Sequence, residues 1–157
     1  LASTVALYVF HVDHVPLVPF GGVTSSVPYD VFQCVFNICG FIGDFTARMV
    51  AYHPPRWWPS WAHPSNTNGN PIRFTALTVV GLALCLCKVG FLAPIGMLLI
   101  MFGNGMIYAS TTKHIDDRVP RRYNLVAISV WLFVGDGGSY IASNLTTALS
   151  NAVGRVR

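Results

Sequence analysis

Inside a stretch that is otherwise apolar, Gln33, Asn37, Gly40, Asp44 and Arg48 follow one another at spacings of 4, 3, 4 and 4 residues. That rhythm puts all five on one face of an α-helix. A carboxylate accepts hydrogen bonds from hydroxyl and N–H groups, a guanidinium donates five, and a carboxamide does both. Such a face can hold a small polar molecule. The remaining faces carry Val31, Phe32, Val35, Phe36, Ile38, Phe41, Ile42, Phe45 and Val50. On a membrane-insertion scale these nine contribute about −3 to −5 kcal/mol, while one Asp and one Arg near the centre cost about 2.5 to 3.5 kcal/mol each. The terms nearly cancel, so the polar face is expected to look into a bundle or a water-filled cavity rather than at lipid. As i, i+4 partners, Asp44 and Arg48 can also pair with each other along the helix. Two readings follow: a buried ion pair that fixes helix packing, or a pair that lines a permeation route and contacts a polar permeant.

Two other stretches carry polar groups in apolar surroundings. Asn104 and Tyr108, four residues apart, supply hydrogen-bonding groups among Gly96, Gly103 and Gly105. Ser129, Asp136, Ser139 or Tyr140, Ser143 and Thr147 recur at helical spacing, and Gly135, Gly137 and Gly138 would allow close helix approach. Asp136 has no cation on its own helix, which leaves it protonated, paired across a bundle, or acting as a proton-relay site. Asp44 is the second candidate for proton coupling.

Enzyme chemistry finds less support. His11, Asp13 and His14 form a compact H-x-D-H at a water-exposed break, and His53, His63 and His114 fall on loops of the opposite face. Cys85 and Cys87 on a helix point roughly 200° apart, unsuited to one metal. No catalytic residue, metal or cofactor is expected. The sequon Asn144-Leu145-Thr146 lies inside or at the end of an apolar segment, where it would go unmodified.

The elements that must position these residues are set by composition. Of 157 residues, 53% are hydrophobic and 10% charged, against roughly a quarter charged in soluble domains. Mean hydropathy is +0.52. There is no Glu; the six acids are Asp13, Asp30, Asp44, Asp116, Asp117 and Asp136. A soluble globule, a charged coiled coil and a disordered tail are all excluded on that count. The net charge of +4 comes from basic residues scattered between apolar runs, not gathered into a nucleic-acid-binding face. The four cysteines sit in apolar stretches and suggest no disulfide framework. The chain begins at Leu1 with no signal-peptide pattern and reads as part of a longer protein.

A bilayer-crossing helix needs about 20 mostly apolar residues. The apolar runs and the Pro and Gly breakers between them predict a partial span at 1–10 and helices over about 29–52, 72–88, 91–111 and 123–147. The expected fold is an all-α, polytopic membrane helical bundle forming a single domain over 1–157. Connecting loops fall at 53–71 and 112–122. These loops and their margins hold Arg56, Arg73, Lys113, Arg118, Arg121 and Arg122, whereas the opposite face has Lys88, Arg155 and Arg157. The excess places the two loops in the cytosol and the C-terminus outside. Trp57, Trp58 and Trp61 beside the first loop suit an interfacial aromatic belt.

The segment F-I-G-D-F-T-A-R, Phe41 to Arg48, resembles the signature Asp and Arg in the eighth span of the equilibrative nucleoside transporter family. G-N-G-M-I-Y-A-S, Gly103 to Ser110, is similar to the Asn-Gly-rich signature of that family's tenth span. The order of the two, with a basic loop before a Gly-rich last helix, extends the resemblance over about 30–147. The family pattern has Gly before the arginine where this chain has Ala47, and Asp136 is not part of it. The resemblance implies the C-terminal part of an eleven-span, major-facilitator-like carrier, from the end of span 7 through span 11. It further implies alternating-access transport of nucleosides or nucleobases, passive in many members and proton-coupled in many protozoan ones. Asp44, Arg48, Asn37, Gln33, Asn104 and Tyr108 would then border the permeation path. The partners implied are the nucleoside or nucleobase permeant, the lipid bilayer, the upstream spans and protons, with no nucleic acid, and the expected location is the plasma membrane. The competing expectations are a structural membrane helical assembly module and a carrier of another small polar solute.

Overall fold

The computed structural model describes residues 14–16, 26–59, 70–87 and 89–154. The expected partial span at 1–10, along with His11, Asp13, His63, Trp61 and Lys88, lies outside them. Two three-residue strands, β1 (His14–Pro16) and β2 (Ser26–Pro28), pair antiparallel with His14 opposite Pro28. This small ribbon departs from a purely α-helical expectation. It occupies the ends of the Pro- and Gly-rich stretch 16–28, whose prolines disfavour helix.

Four helices follow: α1 (Tyr29–Tyr52), α2 (Asn70–Leu86), α3 (Leu92–Arg118) and α4 (Arg121–Gly154). Each boundary has a local cause. Helix α1 starts directly after Pro28, with φ −51° and ψ 140°, and stops at His53. His53 precedes Pro54, and the residue before a proline is pushed out of the α region. Pro71 and Pro94 sit in the first turns of α2 and α3, where a missing N–H costs no helical bond. Val119 is extended, at φ −89° and ψ 130°, because Pro120 follows it.

The helices over 29–52 and 72–88 agree with the sequence reading to within two residues. The third does not end near 111 but runs on to Arg118, so the expected loop 112–122 shrinks to Val119 and Pro120. Residues 112–118 are polar but contain neither Pro nor Gly. Polarity there marks where a helix leaves apolar surroundings, not where its hydrogen bonding stops. The last helix covers the expected 123–147 and extends past it at both ends.

Among the described residues, Tyr29–Tyr52 and Leu92–Arg118 are long and apolar enough to cross a membrane, and Ile72–Leu86 is a shorter apolar helix. Large apolar side chains face outward along the helices, with Phe133 78% and Leu125 77% exposed. Apolar surface on that scale marks a membrane or a partner interface.

Helix α3 is the shared partner, packing along its length against both α1 and α2, while α4 touches it only lightly. One core cluster joins Phe32 and Phe36 of α1, Cys85 of α2, and Ala93, Met97 and Ile100 of α3. A second joins Ala47 and Ala51, Phe74, and Met106 and Ala109. The order of these contacts makes α1 and α3 parallel and α2 antiparallel to both. Between the clusters the helices approach backbone to backbone. A Cβ on Gly81 would lie 2.5 Å from the Gly96 carbonyl oxygen, and a Cβ on Gly43 would collide with the carbonyl of Leu98. Such close approach, made possible by small residues, is how helices gain dispersion energy where lipid offers no hydrophobic drive.

Candidate functional site

The buried stripe of α1 is Phe32, Phe36, Gly40, Gly43, Ala47 and Ala51. The polar stripe shares only Gly40 with it and otherwise runs along its flank. Gln33 and Asp44 are half-buried, while Asn37 and Arg48 are exposed. The polar residues therefore border the α1–α3 seam instead of filling it.

At one point the border becomes a constellation. Arg48 Nε donates to Asp44 Oδ2 at 2.9 Å, with the arginine side chain 48% exposed and the aspartate 24%. The guanidinium carbon stands 4.9 Å from the centre of the Tyr108 ring on α3, inside cation–π range. The carboxylate's other oxygen, Asp44 Oδ1, is buried and accepts no hydrogen bond among the described residues. It fits because Gly105 lies opposite: a Cβ there would stand 2.9 Å from Oδ1 and 2.8 Å from the Ala47 Cβ. The arrangement offers one acceptor oxygen without a donor, and four terminal guanidinium N–H groups that the bond to Oδ2 does not use.

Of the residues singled out from sequence, Asp44, Arg48 and Tyr108 are brought together. Asn104 is exposed one turn before Tyr108 on the same face of α3. Gln33 and Asn37 lie further along α1, on the side of Asp44 away from Arg48. Asp136 is exposed on α4, and its carboxylate makes no hydrogen bond or ion pair among the described residues. Of the glycines around it, expected to admit a neighbouring helix, Gly137 and Gly138 have none beside them among the described residues, since a Cβ on either finds nothing there within 4 Å. Gly96, Gly103 and Gly105 do pack tightly, against α2 and α1.

The other motifs separate as their chemistry requires. Cys85 is buried and its thiol donates to the Ala93 carbonyl at 3.5 Å, whereas Cys87 is exposed; all four cysteines are free. Trp57 is exposed beside the end of α1, as an interfacial residue would be, but Trp58 packs on Phe102 with ring centres 6.4 Å apart. Asn144 donates to the Tyr140 carbonyl at 2.9 Å within α4. Ser110, which closes the Gly103 to Ser110 motif but was not singled out as a site residue, has a buried hydroxyl with no partner among the described residues. The link between Arg48 and Tyr108 is not legible in the sequence, since that depends on the register of one helix against another.

Fold and site together define a largely helical chain, with two helices of membrane-crossing length meeting at a half-exposed ion pair. Comparison with protein-family models, with curated proteins and with solved structures finds no match.

Proposed function

We propose that the chain moves nucleosides or nucleobases across a membrane by alternating access, passively or coupled to protons, as the C-terminal part of a carrier in the plasma membrane. The observation that carries this reading is the Asp44–Arg48 pair, held on a helix long enough to cross a membrane and left partly open beside Tyr108. Charges in such a position mark substrate and ion pathways more often than they serve packing. The carboxylate suits ribose hydroxyls and base N–H groups, and the guanidinium suits base carbonyls and ring nitrogens. Carriers of this kind bind between two halves near the middle of the membrane, so the upstream spans would supply the facing wall. Asp136 and Asp44 are the groups available for proton coupling.

In the full-length carrier, Asp44→Ala and Arg48→Ala should each abolish uptake of labelled adenosine, inosine and hypoxanthine with membrane abundance unchanged. Normal uptake by both variants would refute the site. A structural role for the pair is favoured by one observation, the direct i, i+4 bond between its members. On that reading the exchange Asp44→Arg with Arg48→Asp restores folding and activity together; on the transport reading it restores folding alone.

A further inference from the structure

We infer that Gly105 and Tyr108 of α3 are positioning residues for the Asp44–Arg48 pair: the bare Cα of Gly105 admits the carboxylate into the seam, and the Tyr108 ring carries the guanidinium. The inference rests on the reading of that pair as the permeant-contacting group.

Three observations converge on it. Asp44 Oδ1 is buried without a donor, a costly arrangement that needs another feature to hold it in place. Residue 105 brings no side chain to that place; a Cβ there would stand 2.9 Å from Oδ1, so that the carboxylate would have to shift. Arg48, the partner of Oδ2, is fixed from its other side by Tyr108, three residues and one helical turn further along α3. One turn of α3 thus grips both members of a pair that belongs to α1.

The first arm of the test needs no permeant. The chain is purified in detergent and its thermal unfolding compared for wild type, Arg48→Gln, Tyr108→Leu, the double variant and Tyr108→Phe. Positioning through the ring predicts that the double variant is no less stable than the worse single one, and that Tyr108→Phe stays close to wild type. Additive losses, or equal damage by Phe and Leu, overturn it. A companion comparison sets the cost of Gly105→Ala in the wild type against its cost in an Asp44→Ala background; the Ala47 Cβ at 2.8 Å and the Asp44 backbone carbonyl at 3.1 Å face the new methyl in both, so a smaller cost without the carboxylate supports the role of Gly105, and an equal cost overturns it.

The second arm measures tritiated adenosine uptake by the full-length carrier. The half-saturation concentration should rise from wild type through Tyr108→Phe to Tyr108→Leu, by about three-fold at the end of the series, with the maximal rate kept. A fall in maximal rate at constant half-saturation overturns positioning. If wild type takes up neither adenosine nor hypoxanthine, the transport reading fails, and the unfolding comparison still decides the grip of α3 on the pair.

Discussion

Asp44 and Arg48 gain their setting from residues that carry no charge. Small side chains at the α1–α3 and α2–α3 seams bring the backbones into contact, so the cost of enlarging them depends on where they lie. At Gly43 a methyl group would collide with the Leu98 carbonyl, and at Gly81 it would press on that of Gly96. Backbone cannot step aside as a flexible side chain can. Gly43→Ala and Gly81→Ala should each destabilise the bundle by roughly 1–3 kcal/mol. At Gly137 and Gly138 an added Cβ meets no described residue within 4 Å, and the better helix propensity of alanine should leave the protein unchanged or stabilise it by up to about 1 kcal/mol. Thermal unfolding in detergent separates the two groups; a similar loss at all four positions would show that α4 has a neighbour at its glycines. Ala47 illustrates the same dependence on site. It is fully buried against Gly105, so the methyl that distinguishes this chain from the nucleoside-transporter pattern sits in the seam next to the carboxylate.

The helices were legible in the sequence to different degrees. Pro28 and Pro54 bracket α1, and a proline acts on backbone geometry whatever the tertiary context, so both ends could be read directly. The C-terminal end of α3 could not be read from polarity, because Thr111–Arg118 continues the hydrogen-bonded ladder after the apolar face has ended. The five-residue polar stripe was visible as a helical face, yet its place beside the seam depends on Gly43, Ala47 and Ala51 forming a better packing surface one residue away. Gly135, Gly137 and Gly138 show the converse limit: small residues permit a close approach without saying what approaches. The break between α3 and α4 rests on two residues. Asn124 Nδ2 donates to Asp116 Oδ1 at 2.6 Å across it, whereas eight residues of straight helix would separate the two by about 12 Å. Pro120→Ala releases Val119 to helical geometry and should let α3 and α4 merge at the expense of that bond. Spin labels at His114 and Leu125 should then move apart toward about 17 Å, as read by electron paramagnetic resonance. An unchanged separation would mean that the turn does not depend on the proline.

At the scale of the whole molecule, parallel α1 and α3 bring the segment after Tyr52 and the Val119–Pro120 turn to the same end of the bundle. That end carries Arg56, Arg118, Arg121 and Arg122. With Cys34, Cys39 and Cys87 replaced by alanine, Arg56→Cys and Arg121→Cys should react with an impermeant maleimide from the same side, only after the cell membrane is opened. Labelling of one in intact cells and the other in broken ones would separate the two ends and overturn the bundle's orientation. The central place of α3 also bears on how the chain is assembled. Helix α1 is made before α2 and α3, but its main partner is not the next helix; all of α2 must be synthesised before α3 exists to receive it. At about 5–20 residues per second, an α1 that inserts as proposed waits in the membrane for seconds with an aspartate and an arginine on its surface. The bond between them lies within α1 itself, so the pair supplies its own neutralisation before α3 has arrived to shelter it.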